Sequence, residues 1–312
     1  METVRLSHEA AILLEAVRSV RREVKALGER GRQTAAARPP GYRSWDPEVL
    51  QVDLATEGRI LHHLRGLGEP AVVLSEEAGR IRLGPQQTGD GGPDPRGPGD
   101  EATLRVVVDP FDGSLLYRRD LPFLWAVGLG LWRGQRHRAS CVADLIGGTA
   151  WLADGERLLE LTPDGQVRAA GPGARSEPSL PRRLQDAYVA TYLMKPHYLS
   201  LAMRDFAGVL RASRFVVPIG GPLAWAFLAT GRIDAYLTHH QPVTEVFSAM
   251  GLAVAAGCVV TDLQGRVPRL VDDVGALYTL VASRHAALHE EILEEVVGSR
   301  AIHQQPAWQP ED

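Results

Sequence analysis

The chain has 312 residues, 45% hydrophobic and 23% charged, with a formal net charge of -4. That is enough apolar content for a large core, and it offers no excess positive charge to argue for a nucleic-acid polymer as partner. No apolar run reaches membrane-spanning length, the start Met1-Glu2-Thr3-Val4-Arg5 lacks a signal-peptide core, and two cysteines build neither a disulfide framework nor a Cys-based zinc site. The expectation is a cytoplasmic, enzyme-sized unit of two subdomains, residues 1–170 and 183–300, with Cys141 and Cys258 as small buried residues.

Leu13, Val17, Val20, Val24 and Leu27 recur at i, i+4, i+7 spacing and predict a helix over 7–27. A polar loop follows over 31–44, interrupted by Pro39-Pro40-Gly41. Asp46-Pro47, a capping residue followed by proline, predicts a second helix from there to about Leu64, with Asp53 and Glu57 on one face and His62-His63 on its surface. Ala71 to Leu74 reads as a strand ending in Glu76-Glu77, acids that also suit a solvated helix start. Residues 83–100, rich in glycine, proline and aspartate, read as a surface insertion. Val106-Val107-Val108 predicts a buried strand stopping at Asp109, since Pro110 cannot extend the ladder and Asp112-Gly113 is a turn dipeptide. Alternation from Phe123 to Leu131, and the stretches 140–144 and 149–152, extend a mostly antiparallel sheet.

After the Gly171-Pro172-Gly173 stretch, strand and helix alternate. Strands are predicted over 188–192, 215–218, 233–237, 258–262 and 278–283. Helices are predicted over 197–212, 222–230, 243–256 and 286–297, the third carrying Glu245 in its first turn. His239 and His240 fall in the loop after the 233–237 strand and read as exposed side chains, or as contacts for a second phosphate or a sugar hydroxyl. Lys25 and Lys195 are the only lysines in an arginine-dominated chain, a composition bias before it is a phosphate signal.

Two apolar strands thus each deliver acids at their carboxyl ends, Glu76-Glu77 and Asp109 with Asp112, and hard oxygen donors so arranged suit Mg²⁺. Asp109 with Asp112 alone is also ordinary turn chemistry. The run Asp109-Pro110-Phe111-Asp112-Gly113-Ser114 resembles the Asp-Pro-x-Asp-Gly-Thr/Ser signature of the inositol monophosphatase superfamily, lithium-sensitive phosphatases that include the fructose-1,6-bisphosphatases and 3'-phosphoadenosine phosphatases. Gly231-Arg232-Ile233-Asp234-Ala235-Tyr236 resembles its Gly-x-x-Asp-Ala-Tyr segment, and the likeness runs from about Leu13 to Val296.

The resemblance implies an α+β fold, a layered α-β-α-β-α sandwich with a mainly antiparallel N-terminal sheet and a smaller mixed C-terminal half. It implies Mg²⁺-dependent hydrolysis of a small phosphate monoester by a homodimer. The implied first ion sits on Glu76, Asp109 and the Phe111 carbonyl, the second on Asp109, Asp112 and Glu245, and a weaker third on Glu76 with Asp53. Catalytic roles fall to Ser114 and Asp53, which hold the attacking water; Gly113 and Ser114 amides bind phosphate, and Gly220-Gly221 faces the substrate. Three departures are visible. Thr244-Glu245 replaces the usual Trp-Asp, Thr238 stands where inositol phosphatases carry a sugar-gripping acid, and the 31–44 connection has no lysine, leaving Arg43 as a stand-in or a solvated loop residue. These departures keep open an alternative, a member with impaired turnover that binds a phosphometabolite or regulates.

Overall fold

Ser7 opens the first helix, its hydroxyl accepting the Ala10 amide at 3.2 Å. The computed structural model describes residues 5–37, 48–84, 103–171 and 181–304. In chain order the N-terminal half runs α1 (His8–Leu27), β1 (Thr34–Ala37), β2 (Glu48–Leu50), α2 (Gln51–Leu64), β3 (Ala71–Ser75), β4 (Gly79–Leu83), β5 (Leu104–Asp112) and α3 (Ser114–Arg118). It continues with β6 (Ala126–Arg133), β7 (Arg136–Asp144), β8 (Ala150–Asp154), β9 (Arg157–Leu161) and β10 (Val167–Ala169). The C-terminal half runs β11 (Tyr188–Thr191), α4 (Pro196–Asp205), α5 (Ala207–Ala212), β12 (Phe215–Val217), α6 (Gly221–Ala229), β13 (Ala235–Pro242), α7 (Val243–Phe247), α8 (Met250–Ala255), β14 (Val259–Asp262), β15 (Leu277–Ser283) and α9 (Ala286–Gln304).

Eight strands form one sheet in the order β10-β9-β8-β7-β6-β5-β3-β4, antiparallel except for β3 beside β5. Five form a mixed second sheet, β12-β11-β13-β15-β14. Apolar residues of α1 and α2 cover one face of the larger sheet. Its other face shares a core with α6, α7, α8 and the smaller sheet, where Val107, Trp225, Tyr236 and Leu280 meet. Phe206, Leu288 and Ile292 cover the far side of that smaller sheet. The order is therefore helix, sheet, helix, sheet, helix, and the middle helical layer is the seam between the sheets. None of the described helices is long and apolar enough to cross a membrane.

The elements depart from expectation where a side chain overrides the local pattern. The second helix begins at Gln51, because Glu48–Leu50, expected as helix, instead pairs with β1, which falls in the expected 31–44 loop, and the Asp53 carboxylate accepts the Leu50 amide at 2.7 Å from inside the first turn. Asp46-Pro47 and Arg43 lie outside the described residues. Glu76-Glu77 is the turn of the β3–β4 hairpin, not a helix start. The helix predicted over 197–212 breaks at Phe206, which leaves helical geometry with its side chain fully buried. The one over 243–256 breaks after Phe247, whose carbonyl accepts the Trp132 indole N–H at 2.9 Å instead of continuing the helical ladder. Strand β13 starts later than expected and runs on through His239 and His240. His239 is thus a buried strand residue held by Asp205, not an exposed loop histidine. Cys141 is buried as expected, whereas Cys258 is only half-buried.

His137, edge-on to Trp132 and hydrogen-bonded with Ser140 Oγ at 3.0 Å, titrates at about 4 because burial penalises its charged form. Since its ordinary value is 6.5, the unfolded state binds the proton more readily, and this contribution to stability falls as pH drops from 6.5 and levels off below about 4. We expect His137→Gln to lose about 1–2 kcal/mol less than the wild type between pH 7 and pH 4.5, read from urea midpoints. Parallel pH profiles for the two proteins would refute it.

Candidate active site

A one-residue bulge decides where the acids point. On β5, Asp109 pairs with Gly128 and Asp112 with Ala126, so three steps on one strand oppose two on the other. In a regular strand residues three apart face opposite sides; the extra residue restores the parity and turns both carboxylates to the middle helical layer. The strand therefore does not stop at Asp109, as Pro110 led us to expect, but runs to Asp112 through the irregularity. Phe111 faces the other way, into the core under α1 and α2.

The opposite wall comes from the middle layer, and glycines set how near it lies. A Cβ on Gly128 would sit 2.7 Å from Ser248 Oγ and 2.9 Å from Pro222 Cγ, and one on Gly130 would overlap the Phe247 carbonyl. Strand β6 therefore admits α6 and α7 to backbone contact. Gly221, at φ +63, lies against Asp112: a Cβ there would overlap the carboxylate, with Asp112 Cγ 2.9 Å away. The buried Tyr236 hydroxyl accepts the Gly221 amide at 3.1 Å. Its pKa is pushed well above the usual phenol value, first by burial and then by the negative charges of Glu245 and Asp112. The fields of those two carboxylates, far apart in sequence, thus converge on one phenol.

Two further acids are set from α2. Glu57, buried, accepts the Ser75 hydroxyl and, at 2.8 Å, the Ala78 amide, clamping both ends of the turn that carries Glu76. Asp53, 1% exposed, accepts the Ser114 hydroxyl at 2.7 Å while its other oxygen caps α2. Both are buried, so the shared helix face turns inward, away from solvent. Ser114 Oγ also lies 3.1 Å from the Phe111 carbonyl. Gly113, at φ +98, starts α3 with its Cα side closed off by the Leu124 carbonyl, 2.6 Å from where a Cβ would be.

These elements line an open cleft whose wall includes Glu76, Asp112, Ser114, Gly220, Gly221 and Glu245, with Phe111 and Gly113 beside them. Asp109 and Asp53 stand behind that wall, fully buried and nearly so. Among the described residues no three acidic, histidine or cysteine side chains stand close enough together to cage a metal ion. The donor set nevertheless fits Mg²⁺, because the acids on the wall offer carboxylate oxygen and no cysteine or histidine lines it.

The same wall holds four residues outside every motif: Tyr192, Lys195, Tyr198 and Gln241. Lys195, one of two lysines in an arginine-dominated chain, is the cleft's one basic lining residue among those described, and no hydrogen bond or ion pair of its side chain is found among them. The available signal was its place just before Pro196, where a helix starts. Gly128 and Gly130 were detectable as alternate glycines within an apolar strand.

The profile of the inositol monophosphatase family matches residues 5–301. A fructose-1,6-bisphosphatase/inositol-1-monophosphatase from Methanothermobacter thermautotrophicus is 24% identical over 250 residues, which is 78% of this chain and 81% of the relative. The extragenic suppressor protein SuhB from Bartonella henselae superimposes with a TM-score of 0.69 at 19% identity, covering 93% of this chain and 98% of its own. Inositol monophosphatase II from Staphylococcus aureus gives 0.66 at 17% identity, covering 97% and 100%. With the profile spanning nearly the whole length and these solved structures sharing the layered fold, the chain belongs to the inositol monophosphatase family and, with it, to the phosphatases.

Proposed function

We propose that this phosphatase hydrolyses a small phosphate monoester with Mg²⁺ as cofactor, water attacking phosphorus as the ester P–O bond breaks to release alcohol and inorganic phosphate. One observation carries the reading: Glu76, Asp112, Ser114 and Glu245, delivered by four separate elements, line a single cleft. Glu76, Asp112 and Glu245, with Asp109 and the Phe111 carbonyl, would hold two or three Mg²⁺ ions, which when bound neutralise phosphate charge and lower the pKa of a bound water. Family membership supports the metal and a homodimeric assembly.

The chain's own groups supply the rest. Ser114, fixed by its hydrogen bond to Asp53, turns an oxygen lone pair to the cleft and accepts a hydrogen bond from the attacking water. Asp53 has no place on the cleft wall, so it is a positioning residue that acts through Ser114. Gly220 and Gly221 bring backbone close to the substrate with no side chain between. Lys195 offers the phosphate oxygens a positive charge opposite the acids.

Phosphate release from myo-inositol 1-phosphate, fructose 1,6-bisphosphate, 2'-AMP and adenosine 3',5'-bisphosphate, each with Mg²⁺ and with EDTA, tests the proposal. Turnover of at least one ester that vanishes with EDTA is expected; a flat response throughout would favour a binding protein. Ser114→Ala should lower kcat about 100-fold with KM little changed. Because Asp53 works through Ser114, adding Asp53→Asn to it should cost less than a further threefold. Independent, multiplying losses would separate the two residues' roles.

A further inference from the structure

The larger sheet has a second hollow, on the face turned away from the acids. Beside the middle of α1 its floor is one row of the sheet: Ala143, Ala150 and Leu161 stand directly opposite one another across β7, β8 and β9. The neighbouring row on the same face is Cys141, Leu152 and Leu159, so two methyl groups stand where that row has a thiol and an isobutyl group. Leu14 and Val17 of α1 wall one side, and the β9–β10 turn at Thr162 and Gly165 forms the other. The space is about 130 Å³, near the roughly 150 Å³ of an apolar cavity that admits benzene.

Leu14, Val17, Arg18 and Arg21 follow i, i+3, i+4, i+7 spacing, so the helical stripe beside the hollow turns basic at its end. Backbone sets Arg21 there. Its guanidinium lies on Gly148, at φ +81, where an added Cβ would overlap it, and its Nε is buried without a partner among the described residues. The one hydrogen bond it makes among them, from Nη1 to the Gly148 carbonyl, is 3.4 Å, beyond the usual range. Five donors thus share one long contact. Arg18 adds a second, half-exposed guanidinium tied to Glu15 at 2.6 Å, a surface pair of the kind that holds weakly. Acids of the flanking loops are engaged locally: Asp144 accepts the Ile146 amide at 2.9 Å, and Asp164 accepts Thr162 and Gln166 within its own turn. Among the described residues no carboxylate lines the hollow.

We propose that this hollow binds a small organic anion, a carboxylate or phosphate head on a compact apolar body about the size of one ring. The body rests on Ala143, Ala150 and Leu161, and the head meets Arg21 and Arg18 at the rim. An oxyanion there supplies the acceptors that the Arg21 guanidinium lacks, in charge-assisted hydrogen bonds. Cover over the alanine floor adds apolar burial that a bare inorganic anion cannot provide. The site is independent of the cleft, because the acids turn to the middle helical layer and the hollow opens beside α1, so occupancy needs neither Mg²⁺ nor an ester.

The test titrates the full chain in EDTA and follows backbone amide NMR shifts. Benzoate probes the carboxylate head, and phenylphosphonate, whose P–C bond a phosphomonoesterase leaves intact, probes the phosphate head; benzyl alcohol carries the body alone and inorganic phosphate the head alone. At least one ring anion should shift the amides of Gly148 and Gly165 and bind about tenfold or more tighter than either half alone. Arg21→Leu should weaken that binding about tenfold, whereas Asp112→Asn, in the cleft, should leave it within about twofold. If Arg21→Leu fails to fold, Arg18→Leu, at an exposed helix position, should still weaken it about threefold. Shifts confined to Lys195, Gly220 and their neighbours in the cleft, equal binding of benzyl alcohol or inorganic phosphate, or unchanged affinity in the arginine variants would overturn the site and leave the phosphatase reading as it stands.

Discussion

Asp112→Asn should reduce kcat/KM for phosphate release by at least 1,000-fold while leaving the melting temperature unchanged or slightly raised. The carboxylate shares its field with Glu245 at Tyr236, so removing one negative charge relieves repulsion inside the protein as it removes an oxygen proposed to hold Mg²⁺. Asp112 ends β5, half-buried on the cleft wall, and its asparagine isostere fills the same volume. Mg²⁺ supplies a second readout. The wild type should melt at a higher temperature with the ion than without, in the manner of any ligand that binds only the folded state, and the variant should lose most of that increment. Wild-type turnover by Asp112→Asn would refute the assignment of this acid. A fall of many degrees in melting temperature without the ion would make its role structural.

The helix over 7–27 was legible because it rests on apolar periodicity, which is a property of short windows, whereas the layered order came with the family resemblance. The acids were legible as types, since Asp109, Asp112 and Glu76 leave strands at turn signals. Their convergence was carried by the family resemblance and by no local pattern. It depends on the bulge at Asp109/Asp112, which adds one residue to one strand of a pair, and a bulge has no periodic signature. Helix breaks escaped for a related reason. Phe247 and Phe206 sit in good helical patterns, and only a distant indole or a demand for core filling ends the helix there. His239 looked like a loop residue because the strand's continuation past Thr238 rests on pairing with β15, not on its own composition. Glu57, the acid that clamps the Glu76 turn, was visible as half of an i, i+4 pair, but its partners Ser75 and Ala78 are set by tertiary contact alone.

Gly221→Ala should cost at least 100-fold in kcat/KM, and a second glycine separates the cause from backbone strain. Gly221 and Gly257 both hold a positive φ, +63 and +77, so alanine at either pays the left-handed penalty of roughly 1–2 kcal/mol. They differ in what a methyl meets. At Gly257, past the end of α8, nothing lies within 4 Å. At Gly221 the methyl would occupy the space of the Asp112 carboxylate, and the backbone cannot easily retreat because its amide is tied to the Tyr236 hydroxyl at 3.1 Å in a fully packed layer. The carboxylate must swing away from the cleft, or α6 must lift from the sheet, and either movement misplaces a group whose position matters to a fraction of an ångström. Comparable losses of melting temperature in the two variants, with activity lost only in Gly221→Ala, would show that the glycine is there for the approach to Asp112. If both variants kept wild-type kcat/KM, the close contact between α6 and the end of β5 would have no part in the reaction.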